Sequence, residues 1–541
     1  MNPERPGYRA QRPRRARTPD DGDSLPYRSG STGSYLAAQA PQHAADPGRN
    51  FTASLGYPLL GALIPGAGLL RTRYRWWGAL MVGGVILLIA GAVWVATSGR
   101  DWLIAQAVTP SSLTFAWIAL IVLTVVWILS LIVTHLALRP RPAKAWQRIV
   151  GALVIALLSF LIAAPMLFVA RRAYDQASFV SDVFSSPASG NPGSGPFDGL
   201  RDPWANKPRL NILILGGDSG KGRSIDLGAR TDTVILASVN TRTGDTVLYQ
   251  IPRQTARMPF PEGTALHQKF PNGFTDGHPL NADYFLNSMY DNLPKITGPD
   301  ILGHRVDDLG AEALKISVGE ALGLDVDYYA MINMDGFVQF IDALGGVTVN
   351  VNQPVPMGGE INKQKGINHP PDRWLAPGPN QHLNGMDALW YARGRYGVTD
   401  YERGIRQRCV INAVVQQANP GTVIANYERI TQAGRQIIKT DIPSAQLSSL
   451  VPLAMKVRGQ QMRSVAFINN QQGFSTTNPN WDVVRQRVQD TLNPARPAAP
   501  SPSSAAASSS APKSASPSGS ASPTTSAATD VQDVCAYHPT Q

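Results

Sequence analysis

The chain has 541 residues, 49 lysines and arginines against 38 aspartates and glutamates, a net charge of +11 and two cysteines. This length allows three or four domains, and so few cysteines exclude a disulfide-dense secreted miniprotein. An excess of basic residues suggests a nucleic-acid partner, unless the positions of the charges indicate another role. Three long uncharged runs exclude a wholly soluble protein, because a membrane-spanning helix needs about 20 apolar residues. These runs are Gly78–Thr97, Leu113–Leu138 and Ile149–Ala170.

Basic residues flank the apolar runs mainly on one side of the predicted membrane. The tail, residues 1–50, is rich in arginine, proline, glycine and serine, and is predicted to be disordered. Further basic residues precede the first run and fill the loop between the second and third: Arg71, Arg73, Arg75, Arg139, Arg141, Lys144 and Arg148. The positive-inside rule then places the tail and this loop in the cytoplasm. Three crossings put the chain after residue 172 outside the cell, and no nucleic-acid partner is expected.

The segment 51–70 leaves the number of spans open. It is uncharged and contains two prolines and four glycines, and a fourth span there would put the large domain in the cytoplasm. Basic residues flank both of its ends. We therefore expect an interfacial or re-entrant segment on the cytoplasmic face of a membrane region that covers residues 51–172.

Beyond the membrane region, strands and helices alternate. The pattern predicts a linker (173–207), an α/β domain (208–420), a C-terminal α/β extension (421–495), a disordered Pro/Ala/Ser stalk (496–529) and a tail (530–541). Strands are predicted at Leu210–Leu215, Thr233–Val239, Thr246–Ile251, Tyr328–Asn333, Val347–Val351 and Arg463–Ile468. Helices are predicted at Leu309–Leu322, Met334–Leu344, Asn384–Arg395, Asp400–Ala418, Ser444–Arg458 and Trp481–Leu492. The alternation predicts a layered α/β/α domain with a central mixed β-sheet.

Arginines and aspartates recur at strand ends and on one helix face. Asp218 ends the first strand, whereas Arg230 and Asp232 open the second, which suggests that the second strand runs antiparallel to the first. Further members are Arg253 after the third strand, and Arg393, Arg395, Asp400, Arg403, Arg406 and Gln407 later in the chain. Guanidinium groups match phosphate oxygens two at a time, and paired carboxylates can hold Mg²⁺. The set indicates a pyrophosphate site, with ordinary surface salt bridges as the plain alternative.

Six motifs in this order make the chain similar to one family. They are Leu215–Asp218 (LGGD), Arg230–Thr233 (RTDT), Ile251–Thr255 (IPRQT), Tyr328–Val351, Leu383–Arg395 (ending YARGR) and Asp400–Gln407 (DYERGIRQ). Over about residues 209–420 the chain resembles the LytR-CpsA-Psr cell-wall ligases, of the actinobacterial type. The resemblance implies a membrane-anchored enzyme with an extracytoplasmic catalytic domain. Such an enzyme transfers a glycopolymer from a polyprenyl-pyrophosphate carrier to a muramic acid hydroxyl of peptidoglycan, with Mg²⁺ as cofactor.

The resemblance also implies roles for individual residues. Asp218 and Asp232 would be the metal-associated carboxylates, and Asp232 is also our candidate for the general base. The pyrophosphate would be bound by Arg230, Arg253, Arg393, Arg395, Arg403 and Gln407, with Asp232, Arg230 and Arg403 as the catalytic set. The apolar face of Ile332–Leu344 would line a tunnel for the lipid, although plain core packing would give the same sequence pattern.

Three positions depart from the family pattern. Gln254 replaces an aspartate that many members have, and Pro279 replaces a lysine. His278 is adjacent to Pro279 but is expected to be a surface residue. Glu402 replaces a glycine and is expected to face solvent. One phosphate contact and one carboxylate of the family are therefore missing here.

The two cysteines can form one bridge. In an extracytoplasmic domain an even count favours a disulfide between Cys409 and Cys535, which would attach the end of the stalk to the catalytic domain. The alternative is a buried Cys409 and an exposed tail thiol.

Three functions fit the predicted site. A phosphotransferase leads, a pyrophosphatase that hydrolyses lipid-linked wall intermediates is second, and a non-catalytic sensor or scaffold is third. Retention of both aspartates and of the core arginines argues against the third function. The sequence does not separate the first two.

Overall fold

A computed structural model of the chain describes residues 50–184, 204, 206–218, 230–278, 280–362, 366–417, 438–493 and 528–538. The predicted disordered tail up to residue 49, the linker residues 185–203 and the stalk up to residue 527 lie outside the described residues.

Helices and strands alternate beyond the membrane region, as predicted. In the described residues the helices are α1 (Phe51–Leu63), α2 (Arg75–Thr97), α3 (Arg100–Ala107), α4 (Pro110–Leu138), α5 (Ala145–Val183), α6 (Ala265–Lys269), α7 (Leu286–Thr297), α8 (Leu309–Leu322), α9 (Met334–Ala343), α10 (Gly385–Arg393), α11 (Asp400–Gln417), α12 (Leu447–Arg458), α13 (Trp481–Leu492) and α14 (Val531–Cys535). The strands are β1 (Arg209–Gly217), β2 (Thr231–Asn240), β3 (Thr246–Gln250), β4 (Tyr328–Asn333), β5 (Val347–Val351), β6 (Val355–Met357), β7 (Glu360–Asn362), β8 (Ile367–His369), β9 (Arg373–Leu375), β10 (Gly378–Leu383), β11 (Ile438–Thr440), β12 (Met462–Ala466) and β13 (Thr529–Asp530).

A mixed sheet forms the centre of the domain. Its strand order is β11-β4-β1-β2-β3-β12-β13. The pairs β1–β4 and β3–β12 are parallel, and the other neighbouring pairs are antiparallel. The prediction that the second strand runs antiparallel to the first is confirmed. The central mixed sheet of the predicted fold class is confirmed as well.

Both faces of this sheet are buried, which explains why its strands read as continuous apolar runs. Leu213, Leu215 and Leu236 pack in one core together with residues of α7, α8 and α13. Ile235 and Leu248 point to the opposite face, where Ile411 of α11 packs against them. Helices therefore cover both sides, which gives the three layers expected from the alternation of elements.

The C-terminal region belongs to the same sheet. Strand β12 lies parallel to β3, β11 lies beside β4, and the two-residue β13 pairs with β12. The sheet therefore crosses the domain boundary that the sequence analysis places at residue 420. The longest of these pairings joins Met462 to Thr246, 216 positions earlier in the chain, and no local sequence pattern predicts such a contact.

Three helices are long and apolar enough to cross a membrane. They are α2, α4 and α5, the last of which is apolar over most of its length. The segment 51–70 is instead broken into the 13-residue helix α1 and a 3₁₀ turn at Ala67–Arg71. At 1.5 Å per residue, α1 is about 20 Å long and too short to span about 30 Å of hydrocarbon.

Two prolines explain how α1 is held against α4. Pro58 and Pro65 have no N–H to donate to the carbonyls four residues earlier, those of Ser54 and Gly61. Nδ1 of His135 lies 2.8 Å from the Ser54 carbonyl, and Nε1 of Trp127 donates to the Gly61 carbonyl at 2.8 Å. The two donors of α4 therefore satisfy carbonyls that the prolines leave open.

The linker begins later than predicted. Helix α5 continues to Val183, so the first eleven residues of the predicted linker 173–207 are helical. The physical reason is composition, because residues 171–183 contain neither proline nor glycine and nothing there ends the helix. Phe179 and Val180 at the end of α5 pack against Ile438 and Leu447 of the domain.

Candidate functional site

The antiparallel pairing of β1 and β2 brings the first two motifs to one edge of the sheet. Gly217 at the end of β1 pairs with Thr231 at the start of β2, and the N–H of Asp218 donates to the Arg230 carbonyl at 2.8 Å. Asp218 and Asp232 both line one cavity at this edge. The structure therefore brings these two predicted carboxylates together at one cavity.

Asp232 stands at the centre of a group of arginines. Nη1 of Arg253 lies 2.8 Å from its Oδ1, and Arg395 bonds its Oδ2. Burial alone would raise the pKa of Asp232, but the guanidinium groups of Arg253 and Arg395 bring this pKa below its ordinary value. Asp232 is therefore ionised at neutral pH and is a weak base while the arginines hold it.

Arg403 is the most deeply buried arginine of the group. Its side chain is 3% exposed, and its Nη2 lies 2.8 Å from Oδ1 of Asp400, one helical turn earlier on α11. Nε of Arg253 lies 3.4 Å from the same Asp400 oxygen. Burial lowers the pKa of Arg403 to about 10, so the group still carries its charge at neutral pH.

Two donors of Arg403 have no protein partner. Its Nε and Nη1 are buried and donate to no acceptor among the described residues. A buried guanidinium donor without an acceptor costs free energy, about 1–3 kcal/mol or more for a charged group. Such donors at the wall of a cavity are suited to bind an anion that enters it.

Arg393 and Arg230 lie further out. Nη2 of Arg393 is 3.5 Å from Oδ1 of Asp218, and both side chains are about two-fifths exposed (41% and 42%). Nη2 of Arg230 is 3.5 Å from Oδ1 of Asp283, and both of these side chains are exposed. The structure therefore places Arg393 in the cavity wall and turns the Arg230 side chain towards the loop that holds Asp283.

Gln407 is fixed by residues that the sequence analysis missed. Nε2 of Gln250, the last residue of β3, donates to Oε1 of Gln407 at 3.0 Å. Arg408 in turn donates to Oε1 of Gln250, and burial lowers the pKa of Arg408 to about 10. Arg406, which shares the predicted helix face, instead donates to the Gly394 carbonyl at 2.6 Å and does not line the cavity.

The cavity has a charged mouth and an apolar interior. Its volume is about 780 Å³ including the open mouth, and its polar residues include Asp218, Asp232, Arg393, Arg395 and Arg403. The apolar lining comes from five elements that meet here, β1, β4, α9, α10 and α11, and consists of Ile214, Leu215, Ile332, Met334, Phe337, Leu389, Val410 and Ile411. Only the first part of the predicted stretch Ile332–Leu344 faces the cavity. Ile341 is fully buried in a neighbouring core.

The carboxylates fit one kind of metal site. The described residues contain no group of three or more histidine, cysteine or acidic side chains that could hold a metal by itself. Mg²⁺, however, is commonly bound by one or two carboxylates together with water and substrate phosphates. Asp218, which is 42% exposed and has only a 3.5 Å contact to Arg393, is the more accessible ligand. Asp232 already contacts arginines through both oxygens.

Gln254 and Glu402, two of the departures from the family pattern, do not line the apolar cavity. Pro279 lies outside the described residues, and His278 is exposed, as expected. Glu402 is half-buried and accepts from the N–H and the hydroxyl of Thr399, at 2.7 and 2.8 Å. Glu402 thus supports the start of α11. Gln254 is exposed and lines a second cleft beside Arg253.

The disulfide between Cys409 and Cys535 attaches the C-terminal tail to the helix of the site. The two Cα atoms are 5.5 Å apart, and Cys409 is buried on the far side of α11 from the cavity. Nδ2 of Asn350 donates to the Cys535 carbonyl at 2.9 Å, and Nδ2 of Asn352 donates to the next carbonyl at 2.9 Å. The predicted pairing is the one in the structure.

The chain is similar in sequence to proteins of one known family. The sequence profile of the LytR_cpsA_psr family matches residues 187–496, more than half of the chain. A polyisoprenyl-teichoic acid–peptidoglycan teichoic acid transferase TagU from Oceanobacillus iheyensis is 29% identical over 317 residues, covering 57% of this chain and 81% of that protein. The cell wall biosynthesis protein LcpA of Corynebacterium glutamicum is 26% identical over 261 residues, 45% of this chain and 46% of LcpA. The crystal structure of protein gbs0355 from Streptococcus agalactiae has 25% identity and a TM-score of 0.35, covering 48% of this chain and 76% of that one. The chain belongs to the LytR-CpsA-Psr family.

Proposed function

We propose that the chain is a glycopolymer–peptidoglycan phosphotransferase whose donor is a glycopolymer carried on a polyprenyl pyrophosphate. The proposal rests on one cavity that has arginines at its mouth and an apolar interior. A lipid pyrophosphate has the same division between a charged head and an apolar chain. The name of the TagU relative, a polyisoprenyl-teichoic acid–peptidoglycan transferase, supports the proposal.

The pyrophosphate head would be bound at the charged mouth. Arg403 offers two buried donors that have no acceptor among the residues that the structure describes. Arg253 and Arg395, which contact Asp232, can move part of their hydrogen bonding to phosphate oxygens. Planar guanidinium groups bind such oxygens in pairs and stay charged during the reaction. Arg393 and Gln407 would complete this set, and Arg230 would contact the head from the rim.

In the proposed step, a muramic acid hydroxyl of peptidoglycan attacks the phosphorus that carries the glycopolymer. A new P–O bond to peptidoglycan forms, the P–O bond to the bridging oxygen breaks, and polyprenyl phosphate leaves with that electron pair. The hydroxyl proton passes to a base. Asp232 is our candidate, although it becomes basic enough only when the pyrophosphate draws Arg253 and Arg395 away from it. Positioning and charge stabilisation supply most of the catalysis in such a transfer.

We propose Mg²⁺ as the cofactor, held by Asp218 and Asp232 together with oxygens of the pyrophosphate. When bound, Mg²⁺ would neutralise the charge that develops on the phosphates. The two-carboxylate set supports this proposal because it matches the way Mg²⁺ is shared between protein and phosphate ligands.

We further propose that α2, α4 and α5 are three spans, with the N-terminus in the cytoplasm and the catalytic domain outside. The basic loop 139–148 supports this orientation. The disulfide between Cys409 and Cys535 supports it as well, because disulfides persist mainly in oxidising compartments. The peptidoglycan acceptor lies on that same side of the membrane.

The test uses the full chain in proteoliposomes with a polyprenyl-pyrophosphate sugar, Mg²⁺ and soluble peptidoglycan fragments. We expect a sugar phosphate linked to muramic acid, identified by mass spectrometry. Arg403→Ala should abolish this product, whereas Arg242→Ala, at an exposed turn, is the matched control and should retain it. Free sugar phosphate as the only product would instead support a pyrophosphatase that uses water as acceptor.

A further inference from the structure

A second cleft lies on the other side of the charged group from the apolar cavity. Its volume is about 760 Å³, and Asp232 and Arg403 line both spaces. Arg253 and Asp400 lie at the base of this cleft, where they contact Asp232 and Arg403. Any phosphate held by these arginines would therefore be reachable from two sides.

Phosphoryl transfer assigns the two sides different roles. The attacking and leaving oxygens lie roughly in line through the phosphorus. If the leaving polyprenyl phosphate occupies the apolar cavity, the attacking hydroxyl must arrive from the opposite side. The space on that side is the second cleft.

The walls of the second cleft have the chemistry of a glycan site. They carry neutral hydrogen-bonding side chains, Gln254, Asn469 and Thr476, and the aromatic ring of Tyr401, which is 45% exposed. The charged residues of the lining, Asp232, Arg253, Asp400 and Arg403, contact one another as one group of ion pairs. The hydroxyl and acetamido groups of a sugar form hydrogen bonds with amide and hydroxyl side chains. An exposed aromatic ring can stack against the apolar face of a sugar ring. A wall without net charge does not favour a polyanionic chain.

One wall of the second cleft is a preformed loop. Oδ1 of Asn469 accepts from the N–H of Thr476 at 2.9 Å, and the Thr476 carbonyl accepts from the N–H of Ala256 at 2.8 Å. Phe474, in the middle of the loop, is 2% exposed and packs against Phe467. The loop is thereby fixed to the sheet, so it loses little conformational entropy when a ligand binds.

We propose that this second cleft binds the acceptor, an N-acetylated glycan strand of peptidoglycan, with its reacting hydroxyl directed at the arginine group. The inference rests on the proposed transferase function and adds the place where the acceptor binds. Gln254 and Asn469 bind acetamido or hydroxyl groups, and Tyr401 stacks on a sugar ring. Gln254 is exposed in this cleft, so its amide is available to a bound ligand.

Steady-state kinetics of the full chain in proteoliposomes test the proposal, with soluble peptidoglycan glycan fragments as the varied acceptor. Tyr401→Ala should raise the KM for the acceptor about tenfold, the effect of losing one aromatic contact. Gln254→Ala should raise it severalfold. The KM for the lipid-linked donor should stay within threefold for both variants.

Two control variants accompany these measurements. Tyr401→Phe keeps the ring and should retain an acceptor KM within threefold of the parent. Gln486→Ala removes an exposed amide on α13, outside both spaces, and should leave the kinetics unchanged.

The outcomes separate this inference from the proposed function. If the parent chain transfers the polymer and Tyr401→Ala leaves the acceptor KM unchanged, the acceptor binds elsewhere and only the inference fails. If Tyr401→Ala raises the donor KM instead, the cleft holds the polymer of the donor and the inference is overturned. If the parent transfers to no peptidoglycan fragment, the proposed function itself fails.

Discussion

Removing the disulfide tests how the C-terminal tail stabilises the domain. Cys535→Ser is the cleaner perturbation, because Cys535 is half-buried in the tail whereas Cys409 is 4% exposed in a core. The variant leaves the apolar packing around α11 nearly unchanged. Gln532→Ser, at an exposed position of the same tail, is the matched control.

The size of the effect follows from the length of chain that the bridge closes. Cys409 and Cys535 are 126 positions apart. In the chain-entropy treatment, a closed loop of that length lowers the entropy of the unfolded chain enough to stabilise the fold by about 5 kcal/mol. For a domain of this size each kcal/mol shifts Tm by about 2 °C, so we expect Cys535→Ser to lower Tm by about 10 °C.

The assay is thermal unfolding of the full chain in detergent, followed by tryptophan fluorescence at a fixed heating rate. Reduced parent protein should melt close to the temperature of Cys535→Ser, and Gln532→Ser should melt with the oxidised parent. Non-reducing peptide mapping establishes that the bridge is intact in the parent. A bridged parent and a Cys535→Ser variant that melt within 2 °C of each other would refute the reasoning.

Four further predictions concern the site and the membrane region. Arg403→Ala and Asp232→Ala should each lower the rate of transfer at least about a hundredfold while the domain stays folded by circular dichroism, because each removes a charge next to the reacting phosphates. A transfer rate within threefold of the parent would show that the site lies elsewhere. Chelation with EDTA should stop transfer and added Mg²⁺ should restore it; a full rate in EDTA would contradict the proposed metal. Phe337→Asp, which puts a charge into the apolar cavity, should weaken binding of the lipid-linked donor at least tenfold in a titration, whereas unchanged affinity would place the lipid elsewhere. His135→Leu should lower Tm by a few degrees, because the Ser54 carbonyl loses its donor, a cost of about 1–3 kcal/mol; an unchanged Tm would show that this contact is dispensable.

The pKa of Asp232 gives one more prediction, with a defined sign. Its pKa in the folded chain is lowered below the ordinary 3.8 by Arg253 and Arg395. The stability that these ion pairs contribute is therefore present above pH 3.8 and is lost as the pH falls through the lowered value. The free-energy difference in unfolding between the parent and Asp232→Asn, measured by denaturant titration, should stay constant from pH 7 down to about pH 5 and shrink only in stronger acid. A difference that shrinks between pH 7 and pH 5 would contradict the lowered pKa.

Local sequence signals predicted the elements that have clear ends. Helix α8 begins and ends where the sequence analysis places it, because Asp308 caps its start and Gly323 adopts the left-handed conformation after its end. Helix α13 likewise begins after the capping residue Asn480. Arginines and aspartates at strand ends and on one helix face indicated a pyrophosphate site, and the structure brings Asp218, Asp232 and Arg403 to one cavity.

Contacts between segments that are distant in the chain could not be predicted from the sequence around each segment. Nothing near Met462 indicates that β12 pairs with β3, some 200 residues earlier, and that the loop after β12 lines the second cleft. Gln250 and Arg408 look like ordinary polar residues until β3 and α11 are brought together. Helix α7 was also missed, although Leu286, Met289, Tyr290 and Leu293 have helical spacing, because Pro294 inside it is a helix-breaking signal.

The central claim is that a single cavity binds a polyprenyl pyrophosphate with its head on Arg403. A structure of the chain bound to a non-hydrolysable polyprenyl-pyrophosphate analogue tests it most directly. The account predicts phosphate oxygens within hydrogen-bonding distance of Nε and Nη1 of Arg403, and the lipid chain beside Phe337 and Ile411. A head group bound away from Arg403, or a lipid chain outside this cavity, would contradict the account.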